Sequence, residues 1–142
     1  MNLAEAREIL TQHSKSKKNG LFPPHYTHEH QLTNPICGDH VQLRFEVGEG
    51  MIRAAGFKAK ACAICTASSS LLCEEVQGKR AEVAVDLSHS FERAVVAKAE
   101  DAWPEILSSL SSFNHLRVNP SRRTCALLPW IALRTALQEV VL

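Results

Sequence analysis

The sequence predicts an α+β fold, a small antiparallel sheet with several helices packed against it. Three observations carry this. Val41, Leu43, Phe45 and Val47 alternate with polar residues, the pattern of a half-buried strand. Gly48-Glu49-Gly50 then signals a hairpin, and Met51 to Lys58 reads as the returning strand. From about residue 62 onward the apolar residues recur at helical spacing instead. Strands early and helices late is the order of an α+β chain.

The elements follow in turn. Leu3, Ala6, Ile9 and Leu10 predict an amphipathic helix over about residues 2–13. The polar, basic stretch from Ser14 to Gly20 ends it, with Lys15, Lys17 and Lys18 at the end where cations suit the helix dipole. Pro23-Pro24 breaks the chain, and Tyr26 to Leu32 reads as an edge strand. Asn34 to Asp39 is a turn before the alternating strand. Ile64, Ala67, Leu71 and Val76 predict a helix over about 62–77, with Gly78 as its stop. Val83, Leu87, Phe91 and Val95 predict one or two more helices, and Trp103-Pro104 opens a short one. Ser108 to Arg123 is serine-rich and weakly patterned, and reads as a surface insertion. Leu127, Ile131, Leu133, Leu137 and Val140 predict a C-terminal helix, with Pro129 either in its first turn or at a kink. No internal repeat or boundary divides the chain, so a single domain over 1–142 is expected.

With 142 residues, the chain is long enough to bury a core without disulfides. Hydrophobic residues make up 45% and charged residues 22%, ordinary for a soluble globular protein. The formal net charge of +1 excludes strong global attraction to nucleic acid or an anionic membrane. An aromatic content of 6% argues against base-stacking platforms. No apolar run approaches the roughly 18 residues of a membrane span. The first residues, Met1 to Glu8, are acidic and periodic rather than signal-like, which makes the cytoplasm the expected location.

Five cysteines are the unusual feature. An odd number without a secretory context points away from a disulfide framework and toward metal binding, redox chemistry or core packing. Cys37 sits in a Pro-Ile-Cys-Gly-Asp turn, where Gly38 allows a backbone shape other residues resist and Asp39 supplies a carboxylate. Cys62 falls where a strand gives way to a helix, and a helix N-terminus favours the thiolate. Cys125 is expected to precede the last helix in the same way, with Arg122 and Arg123 also favouring its thiolate. Three thiols and one carboxylate make a tetrahedral S3O metal site. As free cysteines, the same residues are equally small hydrophobes for a core.

Three segments are more specific. Asn34-Pro-Ile-Cys37-Gly-Asp39, Cys62-Ala-Ile-Cys-Thr-Ala-Ser68-Ser-Ser70 and Arg122-Arg-Thr-Cys125-Ala-Leu-Leu resemble, in order, the three signatures of the U-type iron–sulfur cluster assembly scaffolds (IscU, SufU and the N-terminal part of NifU). The resemblance runs from about Leu3 to Val140. It implies a three-stranded antiparallel sheet with helices on one face, the SufE/NifU-like fold. It also implies that Cys37, Asp39, Cys62 and Cys125 hold zinc or a nascent [2Fe-2S] cluster. The stretch before Cys125, together with Arg122, resembles the SufU branch. The IscU branch carries a histidine just before the last cysteine, where this chain has Thr124, and a Leu-Pro-Pro-Val-Lys motif, where it has Val118 to Arg122. Ala59, Lys60 and Ala61 stand where the family usually has glycines, and Lys60 adds a cation that favours bound thiolates or opposes the desulfurase.

The activity this resemblance implies is iron–sulfur assembly. The protein would accept sulfur from a cysteine desulfurase and build a transient [2Fe-2S] cluster for recipient apoproteins. Cys37 is the expected persulfide acceptor and Cys125 the alternative one, with Arg122, Lys60 and Gly38 in support. A zinc-dependent sulfurtransferase partnering the desulfurase is the second reading. A dithiol redox protein or zinc-binding adaptor, built on Cys62-Ala-Ile-Cys65, is a third from another class. Neither nucleic acid nor membrane is an expected partner; whether the protein turns over or only holds its cargo is open, as is the oligomeric state. Cys65 and Cys73 read as packing residues, Cys65 also as a spare ligand. His25, His28 and His30 read as a solvated edge cluster, and Asp86, His89 and Glu92 as a solvated helix face.

Overall fold

A computed structural model describes residues 1–15 and 21–141. The expected basic end to the first helix, Lys17 and Lys18 included, lies largely outside the described residues. Helix α1 (Leu3–Lys15) precedes strands β1 (His28–Thr33), β2 (His40–Gly48) and β3 (Met51–Lys60). Helices α2 (Ala63–Val76) and α3 (Ala81–Val96), a 3₁₀ segment (Glu105–Leu116) and helix α4 (Pro120–Val141) follow. The strands form an antiparallel sheet in the order β1-β2-β3. Glu49 and Gly50, both at positive φ, make the two-residue hairpin turn between β2 and β3. Residues 78–81 return beside the start of β3, where Lys79 O accepts from Ile52 N–H and Gly50 O from Ala81 N–H.

Val41, Leu43 and Phe45 of β2 are fully buried and face the helices. Burying each such side chain contributes about 1.5–3 kcal/mol. The opposite face is not bare. The segment after Leu21 crosses it, stacking Phe22 and Tyr26 on the Arg44 guanidinium at 4.2 and 4.1 Å. Gly56, opposite Arg44 in the β2–β3 register, makes room for the crossing: a Cβ there would collide with the Leu21 carbonyl and the Phe22 Cα.

The 3₁₀ segment corrects the expected surface insertion. Leu107, Leu110, Phe113 and Leu116 are all buried. Their spacing of three is invisible to a search for 3.6-residue periodicity but matches a 3₁₀ helix, in which every third side chain eclipses. Phe91 of α3 is the hub, packing edge-on against Phe113 (5.3 Å) and Trp103 (6.3 Å) and tilted against Trp130 (5.2 Å). The region 81–96 is one helix, α3.

Helix α4 starts at Pro120, seven residues before the first apolar residue used to predict it. Proline at the first helical position explains the start. Pro129 therefore lies inside the helix rather than in its first turn. It has no N–H to give to the Cys125 carbonyl. Buried serines from neighbouring helices donate to carbonyls on either side of it: Ser68 Oγ to Ala126 O at 2.6 Å and Ser88 Oγ to Trp130 O at 2.8 Å. The buried Ser68-Ser69-Ser70 run of α2 thus joins three helices. Ser68 reaches α4, Ser69 donates back to Cys65 O, and Ser70 shares a hydrogen bond with His13 Nδ1 of α1 at 2.8 Å.

Candidate metal centre

The β1–β2 turn is built around Asn34. Its carbonyl accepts from Gly38 N–H (2.8 Å), its side chain accepts from Ile36 N–H (3.0 Å), and its own N–H donates to Asp39 O (2.8 Å). Gly38 closes the turn at φ +79°, a conformation that disfavours a side chain. The result leaves Ile36 and Cys37 exposed while Asp39, at 5% exposure, is drawn inward.

Asp39 then reaches the start of α2. Its Oδ1 accepts from Cys62 N–H at 2.9 Å and its Oδ2 from the Cys62 thiol at 3.4 Å. Cys62 is the N-cap of α2, with extended backbone (φ −64°, ψ 165°), and its sulfur accepts from Cys65 N–H at 3.5 Å. Cys125 enters from α4. The ligand atoms of Cys37, Asp39 and Cys125 all lie within 4.8 Å of one another. Cys62 stands outside that set of three and joins it through its thiol on Asp39 Oδ2, so side chains from three separate places in the chain come together. Cys37 and Cys62 are exposed, Cys125 half-buried and Asp39 buried, so the cluster opens to solvent on its thiol side.

The electrostatics follow the geometry. Burial acts to raise the Asp39 carboxyl, but the Cys62 N–H and the thiols of Cys125, Cys62 and Cys37 outweigh it and hold it below its ordinary value. The Cys125 thiol is pushed far up by burial, then by its hydrogen bonds to Cys62 and Asp39 and by their charges. This corrects the expectation that Cys125 precedes the last helix with its thiolate favoured by a helix start and two arginines. Cys125 lies in the second turn of α4, and its nearest partners are acidic groups. Arg122 is exposed and lines a neighbouring cleft with Arg7 and Leu10. Lys60 is exposed at the end of β3, paired in register with His40.

Cys65 and Cys73 are fully buried, as packing residues should be, and burial pushes both thiols well above the ordinary range. A solvent-facing Cys62–Cys65 dithiol is therefore not what the fold presents. β1 is the edge strand of the sheet, as expected, but its His28 and His30 are half-buried on the face shared with Phe45 and Leu43, opposite them in register, while His25 is exposed. His89 and Glu92 both meet Arg134 of α4, at 3.3 and 2.6 Å. Asn34 and Ser68, which set the turn and tie α4 to α2, were not foreseen. Their signals were an asparagine opening a proline-containing turn and a serine run on an otherwise apolar helix face.

A short antiparallel sheet, helices on one side, and a thiol–carboxylate cluster at the sheet–helix junctions define an α+β protein with a candidate site for a soft metal. The model of the NifU-like N terminal domain matches residues 4–140, and the chain belongs to that family. The iron–sulfur cluster assembly scaffold protein IscU of Streptococcus pyogenes serotype M1 is 34% identical over 114 residues, covering 77% of this chain and 68% of its own. The zinc-dependent sulfurtransferase SufU of Bacillus subtilis is 27% identical over 128 residues, covering 89% and 85%. The crystal structure of SufU from Fervidobacterium islandicum superposes with a TM-score of 0.84 at 29% identity, covering 92% of this chain and 94% of that one. The three-stranded antiparallel sheet and its α+β class are thus those of the family. None of the described helices is long and apolar enough to cross a membrane.

Proposed function

We propose that this chain, acting as one domain over 1–142, is an iron–sulfur cluster assembly protein. It accepts sulfane sulfur from a cysteine desulfurase and, with an external electron donor supplying two electrons to reduce each sulfur to sulfide, builds a transient [2Fe-2S] cluster for transfer to apoproteins. The observation that carries this is the grouping of Cys37, Asp39 and Cys125 within 4.8 Å, with the Cys62 thiol hydrogen-bonded to Asp39. Thiolates suit iron–sulfur species and zinc, and one carboxylate among them is a harder, weaker ligand for such metals. A cargo held by three thiolates and one oxygen is easier to release than one held by four thiolates, which is what an assembly site needs.

Sulfur delivery falls to Cys37. Its thiol is exposed beyond a glycine turn, reachable by a partner, while Asp39 and Cys125 stand behind it. The Cys37 thiolate attacks the outer sulfur of a desulfurase persulfide. The partner's S–S bond breaks, its thiolate leaves, and a new S–S bond forms on Cys37. Cys125, half-buried and with its thiol pushed up by burial, is the less reactive acceptor.

A zinc-dependent sulfurtransferase is the second reading. Thr124 stands where the IscU branch has histidine, and the relative from Bacillus subtilis bears that name. Zinc would take the same four side chains and hold the thiols deprotonated. Cytoplasmic residence fits both readings, since each needs reduced thiols.

Anaerobic reconstitution with iron, cysteine, an electron donor and a desulfurase, beside metal analysis of the purified protein, separates them. A transferable [2Fe-2S] chromophore supports the scaffold. Tightly held zinc without a cluster, with faster desulfurase turnover, supports the sulfurtransferase. Absence of both outcomes overturns the assignment.

A further inference from the structure

A cleft of about 590 Å³ lies between α1, the 3₁₀ segment and the first turns of α2 and α4. Its size falls within the usual range of small-molecule sites. The wall is apolar: Leu3, Ala6, Leu10, Ile64, Leu116 and Val118. Beside the neutral Thr11, Ser112 and Asn119, the ionisable groups set into it are all basic. Arg7, Arg122 and His115 line it, and no Asp or Glu does so among the described residues. Neither the Arg7 nor the Arg122 guanidinium makes a hydrogen bond or ion pair with another described residue.

Two further features act in the same direction. The helices α1, α2 and α4 start at Leu3, Ala63 and Pro120, and Leu3, Ala63 and Asn119 all line the cleft, so three helix N-termini border it, that of α2 already engaged by the Asp39 carboxylate. Ser112 is part of the wall at 2% exposure, and its hydroxyl has no hydrogen-bond partner among the described residues. Buried polar groups are nearly always partnered, so an orphaned hydroxyl in a cleft wall marks a place for a ligand atom.

We propose that this cleft binds an amphipathic carboxylate, an apolar chain or ring carrying one anionic head. The aliphatic wall takes the apolar body. The head lies toward Arg7 and Arg122, whose planar forks match a carboxylate, with the Ser112 hydroxyl as a further donor. A plain inorganic anion would leave the apolar wall unused, and a cation would meet two guanidinium groups and three helix N-termini. The inference is independent of which metal, if any, the thiol cluster holds.

Octanoate is the probe, titrated into the full chain while the backbone amides of Ala6, Ile64 and Leu116 are followed by NMR. The expected result is saturable one-to-one binding with Kd about millimolar or tighter. Octanamide, the same chain without the charge, should bind about tenfold more weakly. Arg7→Gln changes an exposed residue of α1 and should leave the fold intact. Loss of about tenfold in octanoate affinity in Arg7→Gln, or in the Arg7→Gln/Arg122→Gln pair, supports the proposal. Absence of saturation at these amides up to about 10 mM, equal binding of octanamide, or unchanged affinity in both variants overturns it.

Discussion

At the scale of single residues, Asp39 carries two duties that can be separated. In the proposed function it is a ligand that keeps cargo loosely held. As a hydrogen-bond acceptor it fixes the first N–H of the α2 cap and the Cys62 thiol. Asp39→Ala should therefore slow the loss of cluster to an acceptor protein, read as a longer transfer half-time. It should also cost about 1 kcal/mol of stability, because the Cys62 N–H loses its part-buried hydrogen bond. Faster release than wild type would contradict the ligand role. The carboxyl is held below its unfolded value of about 3.8. Its stabilising contribution is thus complete above that pH and is lost as pH falls through the folded value. An acid-unfolding curve of Asp39→Asn should lack that part of the slope.

The cysteines separate in the same way. Cys37→Ser, Cys62→Ser and Cys125→Ser should each remove most bound metal, because a hydroxyl replaces a thiolate. Cys73→Ala should keep full metal stoichiometry, as the residue is buried in the core. Metal analysis after purification decides this, and full metal in Cys62→Ser would remove Cys62 from the ligand set.

At the scale of elements, the interesting joints are those where one segment depends on another's backbone. Helix α4 carries a proline in its interior, and Ser68 of α2 donates to the carbonyl one residue past Cys125. Ser68→Ala should cost about 1 kcal/mol for the lost hydrogen bond to the Ala126 carbonyl. It should also weaken metal binding, since it loosens the helix that presents Cys125. A matched loss in unfolding midpoint with unchanged zinc affinity would confine Ser68 to stability. On the other face of the sheet, Gly56 admits the Leu21–Phe22 crossing. Gly56→Ala should dislodge that segment at a cost of about 1–3 kcal/mol and open it to limited proteolysis near Tyr26. An uncut segment with an unchanged midpoint would show the crossing to be unimportant.

At the scale of the whole molecule, the proposed metal site would also be a clamp. Its side chains come from the β1–β2 turn, the α2 cap and α4, so metal binding should stabilise the whole fold by linkage. Zinc should raise the unfolding temperature of the wild type and not of Cys125→Ser. The sign of the pH effect follows from the protonated state of the thiols. Cys125 must lose a proton that burial and its acidic neighbours make hard to remove, so zinc affinity should fall steeply as pH is lowered. Competition titrations at several pH values test this.

The α+β class, the hairpin, the strand Val41–Val47 and helix α2 were all legible in the chain. Each is written in local periodicity and ended by local turn chemistry, Glu49-Gly50 and Gly78 among it. The family was legible for a related reason: its motifs are short runs such as Cys37-Gly38-Asp39, which read the same in any context. What the sequence could not show was anything that depends on a partner distant along the chain. The segment Ser108–Arg123 looked like a loose insertion because its core residues repeat every three positions, and only packing against Phe91 makes that spacing meaningful. The state of Cys125 was misjudged because its neighbours in sequence are arginines, while its neighbours in space are Asp39 and Cys62. Local order is set by the residues on either side of each position, and charge environment and burial by those that folding brings from elsewhere. So the sequence by itself determined the sheet, α2 and the residue types of the candidate site, and the tertiary structure alone decided how the thiols and the carboxylate meet and how burial acts on Asp39 and Cys125.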